Sequence, residues 1–203
     1  MKKILLALVV ILLVFGAYMF FKKDETPEHK EPKAQALATQ KNSGEFNKGI
    51  DSVLNTYFEI KNAFVDADTT KAKTAARQLI ALSDSSRLFE LKKDPSGIFE
   101  SAVMQLNDVK LNAESLLKQT DITEMRQDFR MIGESMYPLL KTIHYEGKML
   151  YWQNCPMAFG EDKGANWISN TSEIINPYLG KNHPEYKGTM LHCGEVKDSI
   201  KAQ

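Results

Sequence analysis

Residues 121–144 read DITEMRQDFRMIGESMYPLLKTIH, the strongest periodic signal in the chain. Apolar side chains fall at Ile122, Met125, Phe129, Ile132, Met136, Leu139 and Ile143. Steps of three and four, sustained over about six turns, are the pattern of a helix with one buried face. Asp121 with Glu124 three residues on has the form of a capping box. Pro138 lies inside the pattern and predicts a kink or an early end, because proline removes a backbone donor and crowds the preceding turn.

Three more helical segments lie upstream. Ile50, Val53, Leu54, Tyr57, Ile60 and Phe64 recur at the same period. Asp68-Thr69 supplies a cap for a segment carrying Ala72, Ala75, Ala76, Leu79 and Ile80, with weaker signals to Phe89. Its alanines suit close packing against a neighbour. Asp94-Pro95 predicts a third start, with Asp as cap and Pro in the first turn. The stripe behind it is Phe99, Ala102, Val103, Leu106, Ala113, Leu116 and Leu117. Four helices with short connections predict an all-α fold, an antiparallel four-helix bundle.

Beyond residue 145 the texture changes. Gly147, Pro156, Gly160, Gly164, Pro177, Gly180, Pro184, Gly188 and Gly194 interrupt any helical period. Yet Tyr151, Trp152, Phe159, Trp167 and Tyr178 are too apolar for a solvated tail. The expectation is an ordered, loop-rich C-terminal region capping the bundle, with a short helical start near residues 145–152. Loops held by a rigid scaffold are where sites concentrate. Trp152 and Trp167 are expected to fill the core between cap and bundle. Asn176-Pro177-Tyr178 reads as a rigid turn whose tyrosine packs inward.

The N-terminal end divides from this domain. Residues 4–21, ILLALVVILLVFGAYMFF, follow Met1-Lys2-Lys3 and match the length of a membrane span. Phe15-Gly16-Ala17 lacks the small residue a signal cleavage site needs at its first position. Residues 1–21 are therefore expected to be an uncleaved anchor, with a cleaved signal as the alternative. Residues 22–44 are charged and polar, with Pro27 and Pro32, and form a tether that cannot bury enough surface to fold. Residues 45–203 form the folded domain. The expected location is extracytoplasmic, anchored to the inner membrane, or soluble there if the signal is cut. The membrane is thus a partner through the N-terminal segment.

Charge and motifs bound the function. The chain carries 26 basic and 26 acidic side chains, with no basic patch, which argues against nucleic acid. No glycine-rich phosphate loop, haem attachment motif or paired catalytic carboxylates stand out. His192 beside Cys193 does not make a nucleophile–base pair, since adjacent side chains diverge. Binding is expected rather than enzymatic catalysis.

The chemistry-bearing residues concentrate in YWQNCPMAFG at 151–160 and MLHCGEV at 190–196, which hold the only two cysteines. The surrounding pattern includes Cys155-Pro156-Met157-Ala158, Gly164-Ala165-Asn166-Trp167-Ile168-Ser169, Ile175-Asn176-Pro177-Tyr178-Leu179-Gly180 and Met190-Leu191-His192-Cys193-Gly194-Glu195-Val196. Upstream, Asp121-Ile122, Arg126, Phe129 and Met136 fit the same pattern, as do Ala63, Asp66, Ala75, Ala76 and Leu79. Over roughly residues 50–200 the chain resembles the DUF3347 family, bacterial exported domains of unknown function. Members also occur attached to periplasmic adaptor subunits of copper/silver-type heavy-metal efflux pumps. The resemblance implies a role in binding or relaying copper, or a similar metal, beside a metal-efflux or other envelope protein. The segment His183-Pro184-Glu185-Tyr186-Lys187 departs from the family pattern and reads as a local elaboration.

Within that frame Cys155, Met157, Met190, His192 and Cys193 are the candidate metal ligands. Thiolate and thioether favour Cu(I), and imidazole binds copper or zinc, so copper is the expected metal and zinc the less favoured one. A Cys155–Cys193 disulfide is the competing expectation, which an oxidising compartment permits. It would close a loop worth roughly 4 kcal/mol by chain entropy, a model-dependent figure. On that reading the protein is a structural or adaptor domain that contacts an envelope partner. Met157 and Met190 serve equally well as core filler. Met125, Met131 and Met136 are expected to be packing residues.

Overall fold

A computed structural model describes residues 42–201, which lie within one compact unit. The expected anchor at 4–21 and nearly all of the tether fall outside the described residues. Among the described residues no helix is long and apolar enough to cross a membrane.

The helices arise where the apolar stripes place them. Helix α1 spans Gly44–Val65, and the Ser43 hydroxyl caps it by accepting from the Phe46 amide. Helix α2 spans Thr69–Leu82, with the Asp68 carboxylate accepting from Lys71 N–H. A 3-10 segment, Ser85–Lys93, follows and buries Leu88 and Leu91. Helix α3 spans Ile98–Lys118 and helix α4 spans Ile122–Thr142. Asp121 caps α4 by accepting from both Thr123 and Glu124 amides. The α2, α3 and α4 helices pack on one another in chain order, and α1 lies on α2. Aromatic rings link α1 to α4: Tyr57 stacks on Phe129 at 4.9 Å between centroids, and Phe64 tilts against the same ring at 5.5 Å. Such pairs add about 0.5–1.5 kcal/mol beyond their buried area.

Three local expectations are revised. The α4 helix does not end early at Pro138 but runs on to Thr142. The packed face of Met136, Leu139, Leu140 and Ile143 outweighs the one lost hydrogen bond. Asp94 starts a turn, accepting from Ser96 N–H, and α3 begins only after Gly97 in a left-handed conformation. Met131 is 40% exposed and does not pack in the core.

The fold-class expectation is also corrected: the domain is mixed α/β, not an all-α four-helix bundle. The C-terminal region contains a three-stranded antiparallel sheet of order β2-β1-β3. Its strands are β1 (Leu150–Cys155), β2 (Ala165–Ser169) and β3 (Glu195–Ile200). Residues 145–149 are turn and coil and β1 begins at Leu150, so the segment expected to start as a helix, 145–152, contains none. Its register pairs Tyr151 with Ser169 and Cys155 with Ala165 on one side, and Leu150 with Ile200 on the other. A bulge between Trp152 and Gln153 offsets the β3 pairing. Aromatic and β-branched residues at Tyr151, Trp152, Trp167 and Ile168 suit a pleated surface. No helical period survives because each strand is only five or six residues long.

The sheet sits against α4 through β2. Trp152 stacks on Tyr137 at 4.4 Å and 14°, and Trp167 is fully buried edge-on to Tyr178. The Ile168 amide donates to the Tyr57 hydroxyl at 3.1 Å, joining β2 to α1. Both tryptophans thus fill the seam between helices and cap, and Tyr178 packs inward as its turn predicts.

Candidate functional site

Cys155 ends β1 and is buried, and its partner Cys193 arrives on the loop before β3. What brings the loop in is Asn176, which is completely buried. Its side-chain carbonyl accepts from the Tyr178 and Leu179 amides at 2.8 and 3.0 Å. Its side-chain amide donates to the Cys193 carbonyl at 2.8 Å, and its own backbone N–H donates to the Leu191 carbonyl at 2.9 Å. One side chain therefore fixes two loops that lie apart in sequence. The glycine after Cys193 completes the approach. Gly194 has φ +142°, and a Cβ there would stand 2.6 Å from the Asn154 carbonyl oxygen. Only glycine admits both that backbone and that contact.

The result is a thiol pair with Sγ atoms 2.7 Å apart, separated by 38 positions in the chain. A disulfide holds its sulfurs about 2.05 Å apart. Two thiolates on a tetrahedral metal, with bonds of about 2.3 Å, stand about 3.8 Å apart. Bonding thus needs about 0.7 Å of approach, and metal ligation about 1 Å of separation. Desolvation pushes the Cys193 thiol up to about 12, and the neighbouring Cys155 sulfur adds to the shift. Reduced Cys193 is consequently protonated at neutral pH, a poor nucleophile that must lose its proton before it binds a metal.

The other candidate ligands are arranged differently. His192 is exposed, and its Nδ1 is engaged with the Ile174 carbonyl at 2.8 Å, leaving Nε2 toward solvent. Met157 and Met190 are half-buried and pack against the hydrophobic core. Among the described residues no three His, Cys, Asp or Glu side chains form a metal-holding group. Of the five residues, the structure joins Cys155 with Cys193.

A second feature was not singled out as a site from sequence, although its key residue belongs to the family pattern. Arg126, on the first turns of α4, is only 4% exposed. Its Nη2 donates to the Phe64 carbonyl at 2.9 Å, at the C-terminal end of α1. That helix has no basic residue in its own last turn. Burial lowers the guanidinium to about 10, with the Asp121 charge opposing. Its spacing within an ordinary amphipathic stripe gives no local signal that the arginine is buried.

No curated protein and no solved structure matches this chain. Residues 53–148 match the family described as "Protein of unknown function (DUF3347)". That stretch covers most of the helical scaffold and stops before β1, so both cysteines lie beyond it. Over residues 53–148 the chain belongs to the DUF3347 family.

Proposed function

We propose that this is a non-catalytic, extracytoplasmic adaptor domain, tethered through its N-terminal segment, whose Cys155–Cys193 pair works as a disulfide. The bridge staples the sheet-bearing cap so that the domain presents one fixed surface to an envelope partner. The observation that carries the reading is the 2.7 Å separation of the two sulfurs. It is supported by the buried Asn176 anchor and by Gly194, which aim the second cysteine at the first. An oxidising compartment supplies the oxidant for such a pair.

The copper-relay reading makes opposite demands. It requires the sulfurs to separate by about 1 Å and the thiols to lose their protons before a metal binds. Thiol counting on protein purified without reductant, followed by Cu(I) titration of the reduced protein against a competing chelator, decides between the two. No free thiol before reduction, and no tight Cu(I) binding after it, is the expected result. Stoichiometric Cu(I) binding that protects both thiols and is lost in Cys155→Ser would overturn the adaptor reading.

A further inference from the structure

Arg126 borders a cavity of about 220 Å³ between α4 and the C-terminal loops, lined also by Thr123, Phe159, Tyr178, His183 and Tyr186. Three observations make it more than a crevice. First, the Arg126 guanidinium is under-used. It has five N–H donors, and one bond, to the Phe64 carbonyl, serves the end of α1. Its Nε is buried without a partner. No carboxylate lies within ion-pair distance of it among the described residues. A buried cation left in that state costs free energy that a bound anion would restore.

Second, His183 is oriented by its own turn. Its Nδ1 accepts from the Glu185 and Tyr186 amides at 3.2 and 3.3 Å. The neutral ring therefore carries its proton on Nε2, a second donor in the same cavity. The ring is held flat against Tyr186, at 4.9 Å and 22°. Burial, and then the Arg126 charge, lower the His183 pKa against the opposing Glu185 carboxylate, so the neutral form prevails near pH 7.

Third, the walls are aromatic and tight. Phe159 packs on Tyr178 at 5.2 Å. Beside it the chain packs closely on Arg126: Gly180 has φ +57°, and a Cβ there would stand 2.8 Å from the Val65 carbonyl oxygen and 3.2 Å from Arg126 Nη2. Glu185 also lines the cavity and repels anions of higher charge. The volume is below the roughly 300–1,000 Å³ of pockets for drug-sized ligands.

We propose that this cavity binds a small monocarboxylate with a compact apolar or aromatic body, its carboxylate on Arg126 and the His183 Nε2–H and its body against Phe159 and Tyr178. The source is either a free acid or the C-terminal end of a peptide. This site is independent of the cysteine pair and stands or falls apart from the adaptor reading.

The test is calorimetry on the intact protein with benzoate, benzamide, inorganic phosphate, and a short peptide ending in Phe as free acid or as amide. Saturable benzoate binding, with benzamide and phosphate inert, is expected. Arg126→Gln and His183→Phe should each weaken benzoate, the first by about tenfold or more, as befits loss of a charge-assisted hydrogen bond. Tighter binding of the free-acid peptide than of benzoate identifies a chain end as the source, and the reverse a free acid. Should Arg126→Gln fail to fold, the benzoate–benzamide contrast and His183→Phe, which alters an exposed turn, still decide. Failure of benzoate to bind, equal binding of benzamide, preference for phosphate, or unchanged affinity in folded Arg126→Gln would overturn the assignment.

Discussion

Replacing Asn176 by Ala removes three side-chain hydrogen bonds in one step. The Tyr178 and Leu179 amides lose their acceptor, and the Cys193 carbonyl loses its donor. The site is fully enclosed, so water cannot replace these bonds without the loops opening. At about 1–1.5 kcal/mol for each, the loss is about 3–4 kcal/mol. For a domain of this size that lowers Tm by about 10 °C. Asn176→Asp is the sharper probe, because the isosteric carboxylate keeps both accepted bonds. It can donate to the Cys193 carbonyl only while protonated. Complete burial and the facing Cys193 carbonyl raise its folded-state pKa above the unfolded value of about 3.9, against the two amide N–H groups, which favour the charged form. The folded state then holds the proton more tightly than the unfolded chain, so stability falls as pH rises from about 4 through the folded pKa. Urea unfolding at several pH values measures both effects, with the midpoint moving at constant slope. An Asn176→Ala protein within about 1 kcal/mol of the parent, or an Asn176→Asp deficit flat in pH, would refute the account of this side chain as the loop anchor.

Two further outcomes follow from the same geometry. Gly194→Ala should cost about 2 kcal/mol or more, since it combines a strained backbone with a clash against the fixed Asn154 carbonyl. It should also slow oxidation of the thiol pair, read by the rate of thiol loss; melting and oxidation equal to the parent would mean the approach is looser than described. Asp68, Asp84 and Asp121 are held below the usual carboxylate range, chiefly by backbone N–H groups at helix starts. Their stabilisation is present above the unfolded pKa near 4 and is lost as pH falls through the folded values. Asp121→Asn keeps an acceptor without the charge, so its urea midpoint should fall less steeply than the parent's between pH 4 and 2; an identical slope would remove Asp121 from the acid response.

The helical half was legible because its information is local. Ile50, Val53, Leu54, Tyr57, Ile60 and Phe64 are all buried, as are Met125, Phe129, Ile132, Met136, Leu139 and Ile143. The cap was legible as ordered but not as a sheet. Pairing Leu150 with Ile200 leaves no trace in any short window, and the partly buried faces of β1 give no strict alternation. The cysteine pair could be named from composition, but its closeness depends on Asn176 and Gly194, which act across loops. Met157 and Met190 share the neighbourhood in sequence and pack against the core, and the His192 ring meets the Ile174 carbonyl. Arg126 escaped as a site because a lone arginine on an amphipathic helix ordinarily faces water.

The strand order sets a timetable for assembly. Strand β1 lies in the middle of the sheet, and one of its two neighbours, β3, is the last element among the described residues. As the polypeptide is made from its N-terminus, the helices and the β1–β2 pair can form while residues 195–200 are still missing. Until these emerge, one side of β1 offers unpaired N–H and C=O groups that any passing strand could occupy. A truncation that removes residues 195–200 would therefore act on the middle of the sheet, by leaving one side of β1 unpaired.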